Sequence, residues 1–382
     1  MRLKTGQDFS YCMNVHPGEG VEDIRAAVMR AVPDIRKTLC PDAPFGLGLR
    51  VASEAALALQ TPKIREEFAA LLADQNLYAF TINGFPYGAF HQTRVKQNVY
   101  LPDWASTERF TYTCHLFSFL SAILPEEAQG SVSTVPLGYR FASTRPEQTI
   151  EPLREIGRFL ARVEAESGKQ LHLGLEPEPD CLLETTDETI RFFEDLLFAG
   201  TGSEEEQLRR HLGVCLDTCH VAMQFEDPAD SLRAYRKKGI RVSKVQLSAA
   251  LECPASLSPE MLQPFDDGVY LHQVKGRSSP DHSAPDFRWA DLPEWLDSPA
   301  TDAETIRIHA HVPLHWEGDA DLGTTRSTLT EDFWNELAQD RCPHIEVETY
   351  TFDVLPGDVR AGQTVTDDMS AECQWALQKI LT

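Results

Sequence analysis

Two short runs, Leu171–Pro179 (LHLGLEPEP) and Gly213–His220 (GVCLDTCH), put carboxylates at the C-terminal ends of alternating apolar patterns. Side chains two residues apart point the same way from a strand. In the first run Leu171, Leu173 and Leu175 share one face, and Gly174, Glu176 and Glu178 share the other. In the second, Val214 and Leu216 oppose Asp217, which shares its face with Cys215 and Cys219. The opposition recurs along the chain. Asn14 and His16 stand against Tyr11, Met13 and Val15, and Thr81 and Asn83 against Phe80 and Ile82. Lys244, Gln246 and Ser248 stand against Val245 and Leu247, and Arg307, His309 and His311 against Ile306, Ile308, Ala310 and Val312. On the last such run Glu346, Glu348 and Tyr350 oppose Ile345 and Val347.

The apolar faces must pack on a layer of helices, which turns the polar faces toward a common interior. Barrel interiors are ordinarily filled with branched apolar side chains. Glu176, Asp217, Gln246, His309, His311 and Glu348 gathered there would be costly to desolvate unless something binds them. Two negative charges about 4 Å apart repel by roughly 4 kcal/mol at an effective dielectric near 20. A divalent cation removes that repulsion and uses the acceptor oxygens. A single Glu at a strand end is ordinarily solvated or salt-bridged, and a single His is ordinarily a satisfied hydrogen-bonding residue. Acid, amide and imidazole groups repeated over several strands are what favour a metal or polar-ligand site. Carboxylates with an amide oxygen suit Mn, Mg or Co. Adding His309 or His311 moves the preference toward Zn, Fe or Mn.

Strand-like and helix-like patterns alternate almost from end to end. Strands are expected at Phe9–Val15, Gly46–Val51, Tyr78–Asn83, Ser131–Leu137, Leu171–Glu178, Gly213–Cys219, Val242–Ser248, Ile306–Val312 and Ile345–Tyr350. Helices are expected between them, among them Val21–Leu39, Ala105–Leu124, Glu147–Glu166 and Met369–Leu381. In a chain of 382 residues this alternation predicts an α/β fold, a single (β/α)8 TIM barrel over residues 1–382. Nine strands compete for eight places, so one lies outside the barrel or is not a strand, Ile306–Val312 first among them. Two long connections, Gly84–Asp103 and the insertion spanning residues 252–305, read as lids or binding loops at the C-terminal face. Neither a G-x-G-x-x-G nor a phosphate-binding G-x-x-x-x-G-K-[ST] motif is present.

The formal charge of −24 argues against a nucleic-acid partner. No apolar run reaches membrane-spanning length, and the start, MRLKTGQDFSYC, has no apolar signal core. Nine cysteines without a C-x-x-C pair read as free, mostly buried thiols of a cytoplasmic protein.

The order of these motifs resembles the xylose-isomerase-like TIM barrels: a Glu after an LGLE strand, then LDTCH (Leu216–His220), then a polar strand, then a Glu on the last strand. That superfamily includes sugar isomerases, ketose 3-epimerases, inosose dehydratases and metal-dependent apurinic endonucleases. A narrower resemblance is to the proteins named metabolite traffic protein EboE, placed in the same superfamily and associated with moving secondary-metabolite precursors toward the cell envelope. It rests on YCMNVHPGE (Tyr11–Glu19), FGLGLR (Phe45–Arg50), NGFPYGAFH (Asn83–His91), VYLPDW (Val99–Trp104), LGLEPEPDCLLET (Leu173–Thr185), HAHVPLH (His309–His315) and EVETYTFDVLP (Glu346–Pro356).

The resemblance implies that Glu176, Asp217 and Glu348 are metal carboxylates, and that His220 contacts substrate or a second metal. Gln246 stands where many members place a histidine ligand, and His272 resembles a loop histidine of the endonuclease branch. Glu176 and Glu348 would be ligands and proton-transfer groups at once. His16, Asn83, His91, His220, His272 and His311 would orient hydroxyls, with Phe85, Tyr87 and Trp104 as apolar walls. The function implied is a divalent-metal isomerase, epimerase or lyase for a small polyol, sugar or metabolite precursor. The alternative is a metabolite-binding protein without turnover that hands its cargo to other proteins of an export cluster. Phosphodiester hydrolysis at abasic DNA is disfavoured by the charge.

Overall fold

The computed structural model describes residues 1–89, 95–299, 302–339, 342–352, 355–360 and 362–381. Strands are numbered along the chain. β1 (Asp8–Tyr11), β2 (Phe45–Arg50), β3 (Leu77–Asn83), β4 (Gly130–Thr134), β5 (Leu171–Leu175), β6 (Leu212–Asp217), β7 (Arg241–Leu247) and β13 (His344–Val347) form one eight-stranded sheet. Their spatial order is β1-β13-β7-β6-β5-β4-β3-β2, and every pair is parallel. A parallel bridge between Cys12 and Gly48, with Ser10 Oγ donating to the Gly46 carbonyl at 2.8 Å, brings β1 against β2 and nearly closes the barrel. This is the expected (β/α)8 architecture. No helix of the described residues is long and apolar enough to cross a membrane.

The helices between strands begin where the sequence supplies caps. Ser106 Oγ accepts from the Arg109 amide at the head of Thr107–Ile123, and Thr185 and Glu188 form a capping box at the head of Thr186–Arg191. Pro146 opens Pro146–Ser167, and Gly168 closes it at φ 72°. Phe9, Leu47, Ile82, Val132, Val214, Val245 and Ile345 are fully buried, as the alternation required of the faces beneath the helices.

The candidate at Ile306–Val312 is a strand, but not of the barrel. β8 (Ala250–Pro254), β9 (Val274–Arg277), β10 (Phe287–Trp289), β11 (Thr305–His311) and β12 (Gly323–Thr324) form a second sheet, ordered β10-β9-β11-β8-β12 and antiparallel throughout. The stretch read as one long loop is therefore largely ordered pairing, inserted between β7 and β13. Ion pairs from Lys275 to Asp180 and Glu184, and from Arg288 to Glu184 at 2.7 Å, tie it to the loop after β5. All nine cysteines are free thiols, and all but Cys114 are buried.

The barrel interior is polar well below its mouth. Thr81 Oγ1 and Ser131 Oγ lie 2.6 Å apart, His344 Nδ1 meets Ser131 Oγ at 2.7 Å, and Lys244 Nζ meets Glu346 Oε2 at 2.7 Å with both side chains fully buried. Gly48 makes room for that acid: a Cβ there would overlap Glu346 Oε1. Gly213, in register with Arg241 across β6 and β7, allows the backbones to approach so closely that a Cβ would overlap the Arg241 carbonyl. Gly213→Ala should therefore lower stability by about 1–3 kcal/mol, read as a drop in the denaturation midpoint, since backbone on both sides resists relaxation. An unchanged midpoint would contradict this packing.

Candidate metal centre

Each acid of the site stands at or just beyond a strand end, where the chain leaves the sheet toward the barrel mouth. Glu176 follows β5 and still joins the ladder, its amide donating to the Thr134 carbonyl at 3.0 Å. Asp217 ends β6, and Glu348 follows β13 with its amide on the Leu247 carbonyl at 2.9 Å. One carboxylate oxygen from each of Glu176, Asp217 and Glu348 lies within 4.8 Å of the other two, and all three residues are buried.

Their orientation is fixed from one side only. Glu348 Oε1 accepts from Asn14 Nδ2 at 2.6 Å and Asn83 Nδ2 at 3.1 Å, and Asn83 is itself held by the Phe85 amide on its Oδ1. Asp217 caps the helix Thr218–Met223: its Oδ1 accepts from the His220 amide at 3.1 Å and from Ser248 Oγ at 2.6 Å. The other Asp217 oxygen, Oδ2, and Glu176 Oε2 are buried with no hydrogen-bond partner among the described residues. Burial, and then the neighbouring Asp217, push the Glu176 carboxyl up to about 8. Burial, followed by Glu176 and Asp217, drives Glu348 well above the usual range as well. Asp217 is also penalised by burial, yet His220, His311, a hydrogen bond with Glu348 and the Ser248 hydroxyl outweigh that and hold it below its ordinary value.

A second donor set adjoins the first. His220 Nε2 and His309 Nε2 face one another at 3.1 Å, and Glu178 completes a group within 4.8 Å. The tautomers follow from the other ring nitrogens. His220 Nδ1 meets the Pro177 carbonyl at 3.1 Å, an acceptor, so Nδ1 carries the proton. His309 Nδ1 meets Gln273 Oε1 at 2.7 Å, and that amide is oriented by its NH2 donating to the Pro179 carbonyl at 3.0 Å. His309 Nδ1 is thus also the protonated nitrogen. Burial lowers both imidazoles, His220 to about 4, so neither gains a second proton near neutrality. Two bare lone pairs then point at each other, an arrangement that a cation between them would stabilise. Glu178 Oε1 accepts from Tyr100 OH at 2.9 Å, while its Oε2 is buried and has no partner among the described residues. His311 repeats the pattern: Nδ1 on the Glu348 carbonyl at 2.8 Å, Nε2 without a partner, and a place within 4.8 Å of Asp217 and His220. A ring whose distal nitrogen is tied to a carbonyl and whose near nitrogen is bare is oriented as metal-ligating histidines are. The donor set therefore fits a divalent cation.

The structure thus brings together Glu176, Asp217, Glu348, His220, His309, His311 and Asn83. The histidines of β11 arrive from the second sheet, above the strand ends, rather than from the barrel wall, helped by an irregular register between Ile308 and His311. Gln246 is not brought to the trio's open side: it lies between Asp217 and Glu346 in register, and its Oε1 accepts from the Cys215 thiol at 2.8 Å. His272 has both nitrogens committed, Nδ1 to the His309 carbonyl at 2.8 Å and Nε2 to Asp267 at 2.7 Å, so it pins β11 instead of facing a ligand. The His16 ring engages Tyr11 OH at 2.9 Å and lines a different cleft, because Met13–Val15 forms a 3-10 turn that breaks the alternation. His91 lies outside the described residues. Phe85 lines the cavity beside Glu176 and Glu348, whereas Tyr87 packs on Tyr112 and Trp104 is wholly buried. Glu178 and Asn14 were visible on the polar faces but not assigned; Gln273 and Tyr100 carried no signal short of the folded chain.

No family model matches the chain, and no curated protein matches it. Among solved structures, a xylose isomerase-like TIM barrel protein from Mycobacterium smegmatis in complex with magnesium is 13% identical, with a TM-score of 0.55, over 98% of this chain and 96% of its own. D-allulose 3-epimerase from Methylomonas sp. in complex with D-allulose is 12% identical, with a TM-score of 0.49, over 98% and 96%. The probable 3-DHS dehydratase AsbF from Bacillus anthracis is 14% identical, with a TM-score of 0.47, over 97% and 98%. At such identities the likeness is one of fold.

The raised acids give a pH signature. A carboxyl whose folded value is raised, as Glu176 is to about 8, contributes stability that is complete below its unfolded value near 4.5 and is lost as pH rises through about 8. Glu348 acts in the same sense, while Asp217 acts oppositely and only in the acid range below its ordinary value. Chelator-treated protein should therefore lose thermal stability between pH 5 and 8 relative to protein loaded with a divalent cation. Parallel melting curves across that window would contradict the assignment.

Proposed function

We propose that the chain binds a divalent cation, Mn, Mg, Co or Zn, through Glu176, Asp217 and Glu348. On it the protein acts as an isomerase, epimerase or lyase for a small polyol, sugar or secondary-metabolite precursor. The observation that carries this reading is the convergence of three buried carboxylates, two of them with unpartnered oxygens, at the ends of β5, β6 and β13. The adjoining set of Glu178, His220 and His309, with His311 beside it, would hold a second, softer-ligated ion. A bound divalent ion supplies Lewis-acid polarisation of adjacent substrate oxygens.

The chain's own residues would do the rest. Glu176 and Glu348 line the cavity from different strands and would be the groups that take and return a proton. Asn14 and Asn83 fix the Glu348 carboxylate so that its position does not change as charge develops. Phe85 and Tyr350 line the cavity with ring surface that would limit the access of water.

A second reading, a metabolite-binding and handover protein of an EboE-type export system, is favoured by Gln246. With its oxygen on Cys215, that residue adds no donor to the trio, which leaves the cation with fewer protein ligands.

Elemental analysis of the purified full chain tests the first step: Ala at Glu176, Asp217 or Glu348 should each remove about one equivalent of divalent metal relative to the wild type. Metal content equal to the wild type's in all three variants would reject the site. Metal-loaded protein incubated in D2O with aldoses and ketoses should then incorporate deuterium at the carbon next to the carbonyl. Metal binding without any exchange would favour the handover reading.

A further inference from the structure

The cavity beside Glu176 and Glu348 has a volume of about 40 Å³. Glu176, Glu178 and Glu348 line it together with Val99, Tyr100, Tyr270, Leu271 and Tyr350, and Lys96 is the one Lys or Arg among the residues that line it. Deepening the reading above and resting on it, we propose that Lys96 recognises an anionic group of the substrate. The site then takes metabolites that carry a carboxylate or a phosphate besides the oxygens engaged at the trio.

Three observations point there. First, Lys96 holds φ at +41°, in the left-handed region where glycine or asparagine is favoured. Its position at the head of the turn Lys96–Tyr100 is enforced by the Val95 and Lys96 amides on the Val269 carbonyl, at 3.1 and 3.3 Å. Local backbone preference does not call for a lysine there, so the side chain is the feature to be explained. Second, its ammonium is buried and lies 2.6 Å from Asp291 Oδ2, with no hydrogen bond of good geometry among the described residues. Asp291 does not depend on it. Asp291 Oδ1 accepts from the His272 amide at 3.0 Å and from the Leu292 amide at 3.1 Å, capping Leu292–Asp297, and its side chain keeps 22% of its surface in solvent. The lysine can therefore change partner without leaving a buried orphan carboxylate, which is the condition for an ion-pair exchange on ligand binding. Third, the chain carries a net charge of −24, and Glu176, Glu178 and Glu348 are the acids of that total that line the cavity. An anionic metabolite would be repelled from such a site unless a fixed cation met it, and Lys96 is the lysine or arginine among the residues that line it.

Titration calorimetry on the full chain loaded with Mn2+, its metal content measured on the same sample, tests this with two matched pairs. The pairs are D-glucuronate against D-glucose, and D-fructose 6-phosphate against D-fructose. The anionic member of at least one pair should bind about tenfold or more tighter than its neutral partner, and the pair that responds identifies carboxylate or phosphate. Lys96→Met should erase that preference while retaining metal, and Lys96→Arg should keep it. Asp291→Asn, which preserves the cap and removes the competing charge, should strengthen it. Equal binding within both pairs by the wild type, absence of binding included, overturns the proposal. So does a preference that survives in Lys96→Met or, should that variant not fold, one unchanged in Asp291→Asn. Wild-type protein that takes up no metal would instead sink the metal reading of the previous section.

Discussion

The structure depends on how three carboxylates withdrawn from water tolerate one another. Strand register alone brings the ends of β5, β6 and β13 to one place, and the side chains there are Glu176, Asp217 and Glu348. At such separations each pair repels by several kcal/mol even with a generous effective dielectric. Protons or cations must make up the difference, and the raised carboxyls of Glu176 and Glu348 are the proton solution. The supporting hydrogen bonds suit the cation solution better. Most come from outside the trio, from Asn14, Asn83, Ser248 and the His220 amide, while Glu348 and Asp217 also share a hydrogen bond that raises the one and lowers the other. A divalent cation would replace that shared proton and use the oxygens of all three acids.

The imidazoles obey the same logic with the opposite sign. Burial keeps His220, His309 and His311 neutral, and carbonyl oxygens hold the proton of each on Nδ1. What remains is lone pairs directed at one another and at the carboxylates. Neutral donors beside anionic donors form a graded set, from hard oxygen at the trio to borderline nitrogen at His220 and His309. The second sheet exists in part to place two of these rings. His309 and His311 share one face of β11, while His272 and Gln273, just before β9, bind the His309 carbonyl and ring.

Much of this was legible in the sequence, because a period of two combined with strand–helix alternation constrains both the fold and the inward face. Glu176, Asp217 and Glu348 lie at the ends of the clearest such runs, where periodicity and position agree. The failures have physical causes. His16 was assigned by extending the alternation of β1, but the chain turns at Met13–Val15, so Asn14 reaches Glu348 and the His16 ring engages Tyr11. Gln246 does lie on the polar face of β7, but a thiol on the neighbouring strand claims its oxygen, and no one-strand pattern reveals a cross-strand partner. The resemblance gives His272 a place beside substrate hydroxyls, whereas Asp267, five residues earlier, closes back on it. The strand around His309 was recognised as a strand but not as part of another sheet. Pairing partners of antiparallel strands separated by a long insertion are set by tertiary contacts rather than by local composition.

The polar barrel floor remains to be reconciled with a stable fold. A buried ion pair such as Lys244–Glu346 gains little over an apolar pair of the same volume, and losing one partner is severe. Its presence is easier to understand from what lies above it. The trio is an excess of negative charge in a low-dielectric barrel, and Lys244 is a cation fixed beneath it, close enough to favour the ionised form of Glu176. Glu346, in register with Gln246 across β13 and β7 and accommodated by the absence of a side chain at Gly48, holds that lysine in place. An apolar floor would pack as well, but the carboxylates would then face a medium that stabilises none of their charge. The polar interior is thus continuous with the site, and its cost is set against keeping three acids available as ligands.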